Sequence, residues 1–210
     1  MKKLVIASSN PGKLREIGQM LAPLAIEVLP QAGFGVPEAD EPHCTFVENA
    51  LAKARHASRC TGLPALADDS GICVAALGGE PGVHSARYAA DLPAGVSRGR
   101  EHQDQCNNAK LIAQLQNHAD RHAHYYCVIV LVHHAEDPEP LIAEGRWHGE
   151  VTDTPRGSGG FGYDPYFYLP GFGRTAAELT ADEKNAISHR GKALAQLVEK
   201  LQTERRMNGP

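Results

Sequence analysis

The sequence predicts an α/β protein built on a mixed sheet. Short apolar runs alternate with helical repeats in the first third of the chain, which is the pattern of strands joined by helices. Capping boxes at Thr45–Glu48 and Thr180–Glu183 each mark a helix start. Late in the chain two β-rich runs, Tyr125–Val132 and Leu141–Val151, follow one another closely, as in a hairpin added to a sheet.

Leu4–Ala7 is the first strand, followed by turn chemistry at Ser8-Ser9-Asn10-Pro11-Gly12. Leu14, Ile17, Met20 and Leu21 recur at helical spacing until Pro23 stops them. Ile26–Leu29 reads as a second strand, and residues 31–44, rich in Gly, Pro and acids, as a loop or an irregular hairpin. The Ala-rich helix after Thr45 should end at Gly62, the favoured residue just past a helix. Leu63–Ala67 is a short strand running into Asp68-Asp69-Ser70-Gly71, with Ile72–Leu77 a continuation. Asp104 is placed to cap a helix carrying Leu111, Ile112 and Leu115. Tyr125–Val132 is continuously apolar, so it should be buried on both faces. Gly157–Gly162 is a glycine-rich loop and Tyr166–Leu169 a last strand. Leu194, Leu197, Val198 and Leu201 form one stripe of a final helix, beginning near Ser188, and residues 203–210 are polar and expected to fray. With no repeat and no Ser-rich linker, residues 1–202 are expected to form one chain unit with two lobes around an active-site cleft.

The bulk composition excludes several classes. With 210 residues, 42% hydrophobic and 22% charged, the chain has an ordinary globular balance. A formal charge of -4 argues against general affinity for a nucleic-acid backbone, yet leaves room for a small anion neutralised by local cations and a metal. Five scattered cysteines (Cys44, Cys60, Cys73, Cys106, Cys127) without a C-x-x-C suit a reducing compartment. The N-terminal apolar run is too short for a signal-peptide core, and no apolar stretch reaches the roughly 20 residues of a membrane helix. The expectation is a cytoplasmic protein with no membrane partner.

Several clusters are able to carry chemistry. Ser8-Ser9-Asn10-Pro11-Gly12-Lys13 joins a strand to a helix, where free N–H groups, hydroxyls, an amide and a lysine can gather a phosphate. It is not a Walker loop, and the same residues also make an ordinary turn. Asp68-Asp69 stands where a strand emerges, and adjacent carboxylates are hard oxygen ligands suited to Mg²⁺, with Glu41 or Asp40 able to add another oxygen. Asp is equally common in turns. Lys53, on the capped helix, reaches a phosphate if that helix faces the site; otherwise it is a solvated lysine. Phe161-Gly162-Tyr163-Asp164 offers an aromatic face beside a flexible glycine loop, a platform for a nucleobase or a core aromatic beside a turn. Lys184 and Ser188-His189-Arg190 bring donors, and an arginine fork aimed at a purine edge would accept a 6-oxo group and reject a 6-amino group. His118, His122, His124, His133 and His134 lack cysteine or acidic partners at zinc spacing, and no G-x-S-x-G elbow supports serine catalysis.

The order of these segments is more telling than any one of them. Ser8-x-Asn10-x-x-Lys13, Thr45-Phe46-x-Glu48-Asn49-Ala50-x-x-Lys53-Ala54 and Ala67-Asp68-Asp69-Ser70-Gly71 come first. Gly82-x-x-Ser85-Ala86-Arg87-Tyr88, Gly159-Gly160-Phe161-Gly162-Tyr163-Asp164-Pro165 and Lys184-x-x-x-Ser188-His189-Arg190-Gly191 follow. Together, from Leu4 to about Leu201, they resemble the inosine triphosphate pyrophosphatase (RdgB/Ham-type) family of house-cleaning nucleotidases. The resemblance implies the ITPase-like α/β fold, a homodimer, and Mg²⁺-dependent hydrolysis of ITP, dITP and XTP to monophosphate and pyrophosphate. It implies that Ser8, Ser9, Asn10, Pro11, Gly12, Lys13 and Lys53 hold the triphosphate, and that Glu41 and Asp69 hold the metal. Asp69 would accept the proton of the attacking water with Asp68 supporting it, and Ser70 would touch substrate. Phe161, Gly162, Tyr163, Asp164, Lys184, His189 and Arg190 would form the base and sugar pocket.

One segment departs from the family pattern. Ala89–Arg100 is longer than the pattern calls for and is rich in Gly, Pro and Arg, which predicts a mobile loop. Two other readings compete: a Maf-like nucleotide pyrophosphatase, separable by a substrate panel, and a nucleotide-binding regulator without turnover.

Overall fold

The structure, a computed structural model, describes residues 1–91 and 99–207. Seven strands are hydrogen-bonded in the order β2-β1-β3-β4-β5-β6-β7: β1 Lys3–Ile6, β2 Glu27–Pro30, β3 Ala65–Val74, β4 His122–Val132, β5 Leu141–Val151, β6 Phe167–Leu169 and β7 Arg174–Thr175. β1 runs parallel to β2 and β3, while β6 runs antiparallel to β5 and β7, so the sheet is mixed as expected. The helices are α1 Pro11–Leu21, α2 Phe46–Thr61, α3 Arg100–Leu115, α4 Ala181–Ile187 and α5 His189–Met207.

The chain divides into two units. The first comprises Met1–Asp69, Cys127–Gly145 and His189–Pro210; the second comprises Ser70–Tyr126 and Arg146–Ser188. In the first, Leu4 and Ile6 of β1 pack with Leu66, Ile129 and Leu131 against Ile17 and Leu21 of α1 and Leu194, Leu197 and Leu201 of α5. Val5, between Leu4 and Ile6, faces the other way, as strand geometry requires, and β1 is also in contact with α2. Ala50, Ala54 and Ala57, all fully buried, give α2 a smooth face. The second unit has its own core, in which Ile72, Tyr125, Trp147 and Phe167 meet Leu111 and Leu115 of α3.

Local signals explain the helix ends. Thr45 caps α2 by accepting the Glu48 N–H, and Gly62 ends it in the left-handed conformation at φ 68°. The reciprocal half of that expected box is altered, because the Glu48 carboxylate takes the Thr45 hydroxyl. At Thr180 both halves are present, but the helix they open is α4; the chain kinks at extended Ser188 before α5. Two further expectations need correction. α3 starts at Arg100, so Asp104 lies within the helix and does not cap it, its carboxylate being taken by the Gly162 N–H. α5 continues past the expected fray to Met207, and Arg205 donates to the Leu24 carbonyl. The expected mobile loop falls largely on positions 92–98, outside the described residues, as do 208–210.

Candidate active site

Asp68 and Asp69 do not sit at the end of a strand. β3 runs through them without interruption, from Ala65 to Val74. Successive side chains on a strand point to opposite faces, so the two carboxylates acquire different neighbours. Each is nearly inaccessible, at 2% and 5% exposure. An ionised carboxylate survives such burial only with a partner on its own face.

Asp68 finds its partners on the side of α1 and α5. Its Oδ2 accepts Lys13 Nζ at 2.9 Å and both Nε and Nη2 of Arg190, at 3.3 and 3.1 Å. Arg190 also gives Nη1 to Glu16 at 2.6 Å. Burial alone would raise the Asp68 pKa, but Lys13 and Arg190 overcome it and hold the carboxyl well below the ordinary range. Asp68 is thus a fixed anion.

Asp69 faces α2. Its Oδ1 accepts Lys53 Nζ at 2.9 Å, and the same ammonium reaches Glu41 Oε1 at 2.8 Å. Its Oδ2 accepts Nδ2 of Asn49, a fully buried side chain that also donates to the His43 carbonyl and accepts the His43 N–H. Burial raises the Asp69 pKa and outweighs the opposing pull of Lys53, and Glu41 adds to the rise. The adjacent acids are therefore shifted in opposite directions, Asp68 down and Asp69 up.

The Asn10 turn is built differently from a bare helix N-terminus. Asn10 Oδ1 caps α1 by accepting the Gly12 and Lys13 N–H groups at 2.9 and 3.5 Å, with Pro11 at the first helical position. Ser8 Oγ accepts the Asn10 N–H, and the Ser9 hydroxyl donates to Glu38. What the turn offers is the Asn10 Nδ2 amide, buried and without a hydrogen-bond partner among the described residues. Ser70 is half-buried, next along β3.

The metal expectation can be tested on the donor set. Among the described residues no cluster of three or more His, Cys, Asp or Glu is set to hold an ion. Asp69 and Glu41, however, already converge on one cation, the Lys53 ammonium, with hard oxygens. Two carboxylates plus water and substrate phosphates are what Mg²⁺ typically uses, so the residues fit it.

The second unit holds the Phe161 cluster. Asp164, 2% exposed, accepts the Phe161 N–H at 2.9 Å and Lys184 Nζ at 2.5 Å. Lys184 Nζ lies 4.9 Å from the Phe161 ring centroid, a cation–π contact. The glycines here do not serve flexibility. Gly160 and Gly162 have φ of 73° and 64°, and a Cβ on Gly160 would lie 2.0 Å from Asp164 Oδ2. Tyr163 belongs to the core, its hydroxyl donating to the Ser85 carbonyl at 2.8 Å.

Expected site residues thus fall into two groups. Lys13, Lys53, Glu41, Asp68, Asp69 and Arg190 meet in the first unit, where His189 is buried at the start of α5. Phe161, Asp164 and Lys184 meet in the second. Arg190, read as a fork for a purine edge, is 2% exposed and spends its donors on Asp68 and Glu16. Asn49 and Glu16 received no role from sequence. The place of Asn49 inside the motif Thr45-Phe46-x-Glu48-Asn49-Ala50 was the available clue to the first; nothing marked the second. The histidines disperse: His122 pairs with Asp120, His133 with Asp137, and His124 lies against His148.

Fold and site define a two-unit α/β protein equipped to hold a polyanion against a pair of unlike carboxylates. The chain belongs to the Ham1 family, whose model matches residues 4–200. It is 64% identical over 201 residues to a dITP/XTP pyrophosphatase of Ralstonia nicotianae, covering 96% of this chain and 97% of the relative. A dITP/XTP pyrophosphatase of Nitrosomonas europaea is 63% identical, with 96% and 95% covered. Among solved structures, a HAM1 protein from Coxiella burnetii matches with TM-score 0.86 and 49% identity over 98% of this chain and 100% of that one.

Proposed function

We propose that this protein hydrolyses deaminated purine nucleoside triphosphates, dITP and XTP first and ITP with them, to the monophosphate and pyrophosphate. The observation that carries the reading is the split acid pair: Asp69 meets Lys53 and Asn49, with Glu41 on the same ammonium, while its neighbour Asp68 is held by Lys13 and Arg190. The names of full-length relatives at about 60% identity support the substrate class.

In this reading water attacks the α-phosphorus; the new bond is between water oxygen and phosphorus, and the bond to the bridging β-phosphate oxygen breaks. Asp69 takes the proton, and Asn49 fixes its carboxylate so that one oxygen keeps its direction. Lys53 and Lys13 turn from their carboxylates to the phosphate oxygens, with the Asn10 amide as a further donor. Asp69 and Glu41 would hold Mg²⁺. Bound there, the ion supplies charge neutralisation for the phosphates and acidifies nearby water. Phe161 stacks the base, and Lys184 offers its ammonium to a 6-oxo group while Asp164 anchors it.

The resemblance also implies a homodimer in the cytoplasm; sedimentation at micromolar concentration checks the first. Among the described residues no helix is long and apolar enough to cross a membrane. The main test is pyrophosphate release with Mg²⁺ from dITP, XTP, ITP, dGTP and ATP. We expect the first three to be favoured in kcat/KM by about 100-fold or more over ATP, the scale on which an unpaired buried donor discriminates. Equal rates on all five would sink the specificity.

A further inference from the structure

The Phe161 loop is held by one face of α3, and we propose that Arg100, Asp104 and Asn108 are positioning residues for base binding. The inference rests on reading Phe161 as the base platform. Residues spaced by four lie on one helical face, and these three all address the same loop. Asp104 Oδ2 accepts the Gly162 N–H at 3.0 Å. One turn further on, Asn108 Nδ2 donates to the Gly162 carbonyl at 2.9 Å and to the Asp104 carbonyl at 2.8 Å. One turn back, the Arg100 guanidinium lies 5.8 Å from the Phe161 centroid, and its charge acts on Asp104.

Gly162 is therefore gripped at both its N–H and its C=O. That grip matters because Gly162 sits at φ 64°, a conformation whose alternatives glycine reaches freely. Without it, Phe161 would keep its bonds to Asp164 and the Lys184 contact on its ring, but the residue after it would be released. A ring that must stack a base benefits from being held before the base arrives, since the ordering cost is then not drawn from binding. Asn108 is 7% exposed on a helix whose apolar residues Leu111 and Leu115 lie deeper in the core. From there its amide nitrogen reaches Gly162 and the preceding turn.

The test compares wild type with Asp104→Ala, Asn108→Ala, their double variant and the conservative Asp104→Asn, in the full-length protein with Mg²⁺. In the double variant we expect KM for dITP to rise about tenfold, the scale of one weakened base stack, with kcat within about twofold. Amide exchange across residues 159–164 should speed up, and the melting point should move by only a few degrees. Asp104→Asn keeps an acceptor oxygen for the Gly162 N–H and should restore KM to within about twofold of wild type. Faster exchange with unchanged KM would overturn the proposal, as would a fall in kcat and melting point with KM unchanged. Should wild type release no pyrophosphate at all, the functional reading fails by itself. The clamp is then judged by calorimetric titration with dITP and Mg²⁺: about tenfold weaker binding in the double variant supports it, and equal affinity refutes it.

Discussion

Asp68→Asn isolates the fixed anion at the centre of the first unit. The substitution keeps shape and volume, so no cavity term enters, and only the charge is removed. In the native protein the carboxylate has no exposed side-chain surface, and it meets Lys13 at 2.9 Å and Arg190 at 3.1 Å. After substitution Arg190, with 3% side-chain exposure, loses the Asp68 charge and keeps its ion pair with Glu16. Removing one member of a buried ion pair costs about 3–5 kcal/mol; an amide oxygen still accepts one bond, so we take the lower end, about 3 kcal/mol. For a chain of this length each kcal/mol moves the melting point by about 2–4 °C, giving a drop of about 6–12 °C. The pH dependence provides a second readout. The folded pKa of Asp68 lies below its unfolded value. Its contribution is therefore complete above the unfolded value of about 4 and disappears as pH falls through the folded one. The gap between wild type and variant should be constant from pH 6 to 8 and close in acid, below about pH 4. Thermal melts followed by circular dichroism at several pH values measure both. A variant within about 1 kcal/mol of wild type at pH 7, or a gap that persists in acid, would refute the reasoning.

Asp69→Asn should lower pyrophosphate release by about 10³-fold, the scale of a lost general base, while Lys53 keeps Glu41 and the melting point stays within a few degrees. Retention of more than about a tenth of the activity removes Asp69 from proton transfer. Gly145→Ala would place a Cβ 2.1 Å from the His189 carbonyl oxygen and 2.9 Å from the Ala193 nitrogen. Backbone cannot yield as a flexible side chain does, so we expect a loss of about 3 kcal/mol in urea unfolding, and a neutral result would contradict that packing. Gly160→Ala, at φ 73° with a Cβ 2.0 Å from Asp164 Oδ2, should push Asp164 off the Phe161 N–H and raise KM for dITP severalfold. An unchanged KM would mean that loop geometry does not limit base binding.

Much of the fold was legible because its signals are local. The Leu141–Val151 strand alternates along its own length, and the structure gives it those bounds. Gly62 and Thr180 punctuate helices through their own backbone and side-chain chemistry. Errors arose where tertiary partners override local preference. Asp68-Asp69 looked like a turn because carboxylates are unfavourable inside a strand; Lys13, Arg190, Lys53 and Asn49 remove that penalty, and they lie far from the pair in sequence. Asp104 looked like a cap because nothing local shows that Gly162 claims its carboxylate. The site was recognisable as a set of residue types in order, whereas the facing directions that divide Asp68 from Asp69 needed the uninterrupted strand. Arg190 shows the limit of reading donors by type: its fork was assigned to a base edge, while the structure has it donating to Asp68.

The ion pairs around Asp68 and Asp69 suggest how charge would shift when substrate arrives. Among the described residues these ion pairs join the carboxylates of Asp68, Asp69, Glu41 and Glu16 to the cations Lys13, Lys53 and Arg190. A triphosphate brings further negative charge into this set, and if Lys13 and Lys53 turn toward it they leave their carboxylates uncompensated. Added positive charge entering with the nucleotide would compensate both partners. The convergence of Asp69 and Glu41 on a single cationic point is where a divalent ion would restore the balance while leaving Lys53 available. Chelation by EDTA should accordingly abolish pyrophosphate release and weaken dITP binding by about tenfold or more, which calorimetry measures directly. Undiminished turnover in EDTA would mean that the lysines suffice, and the inference drawn from the charge imbalance would be wrong.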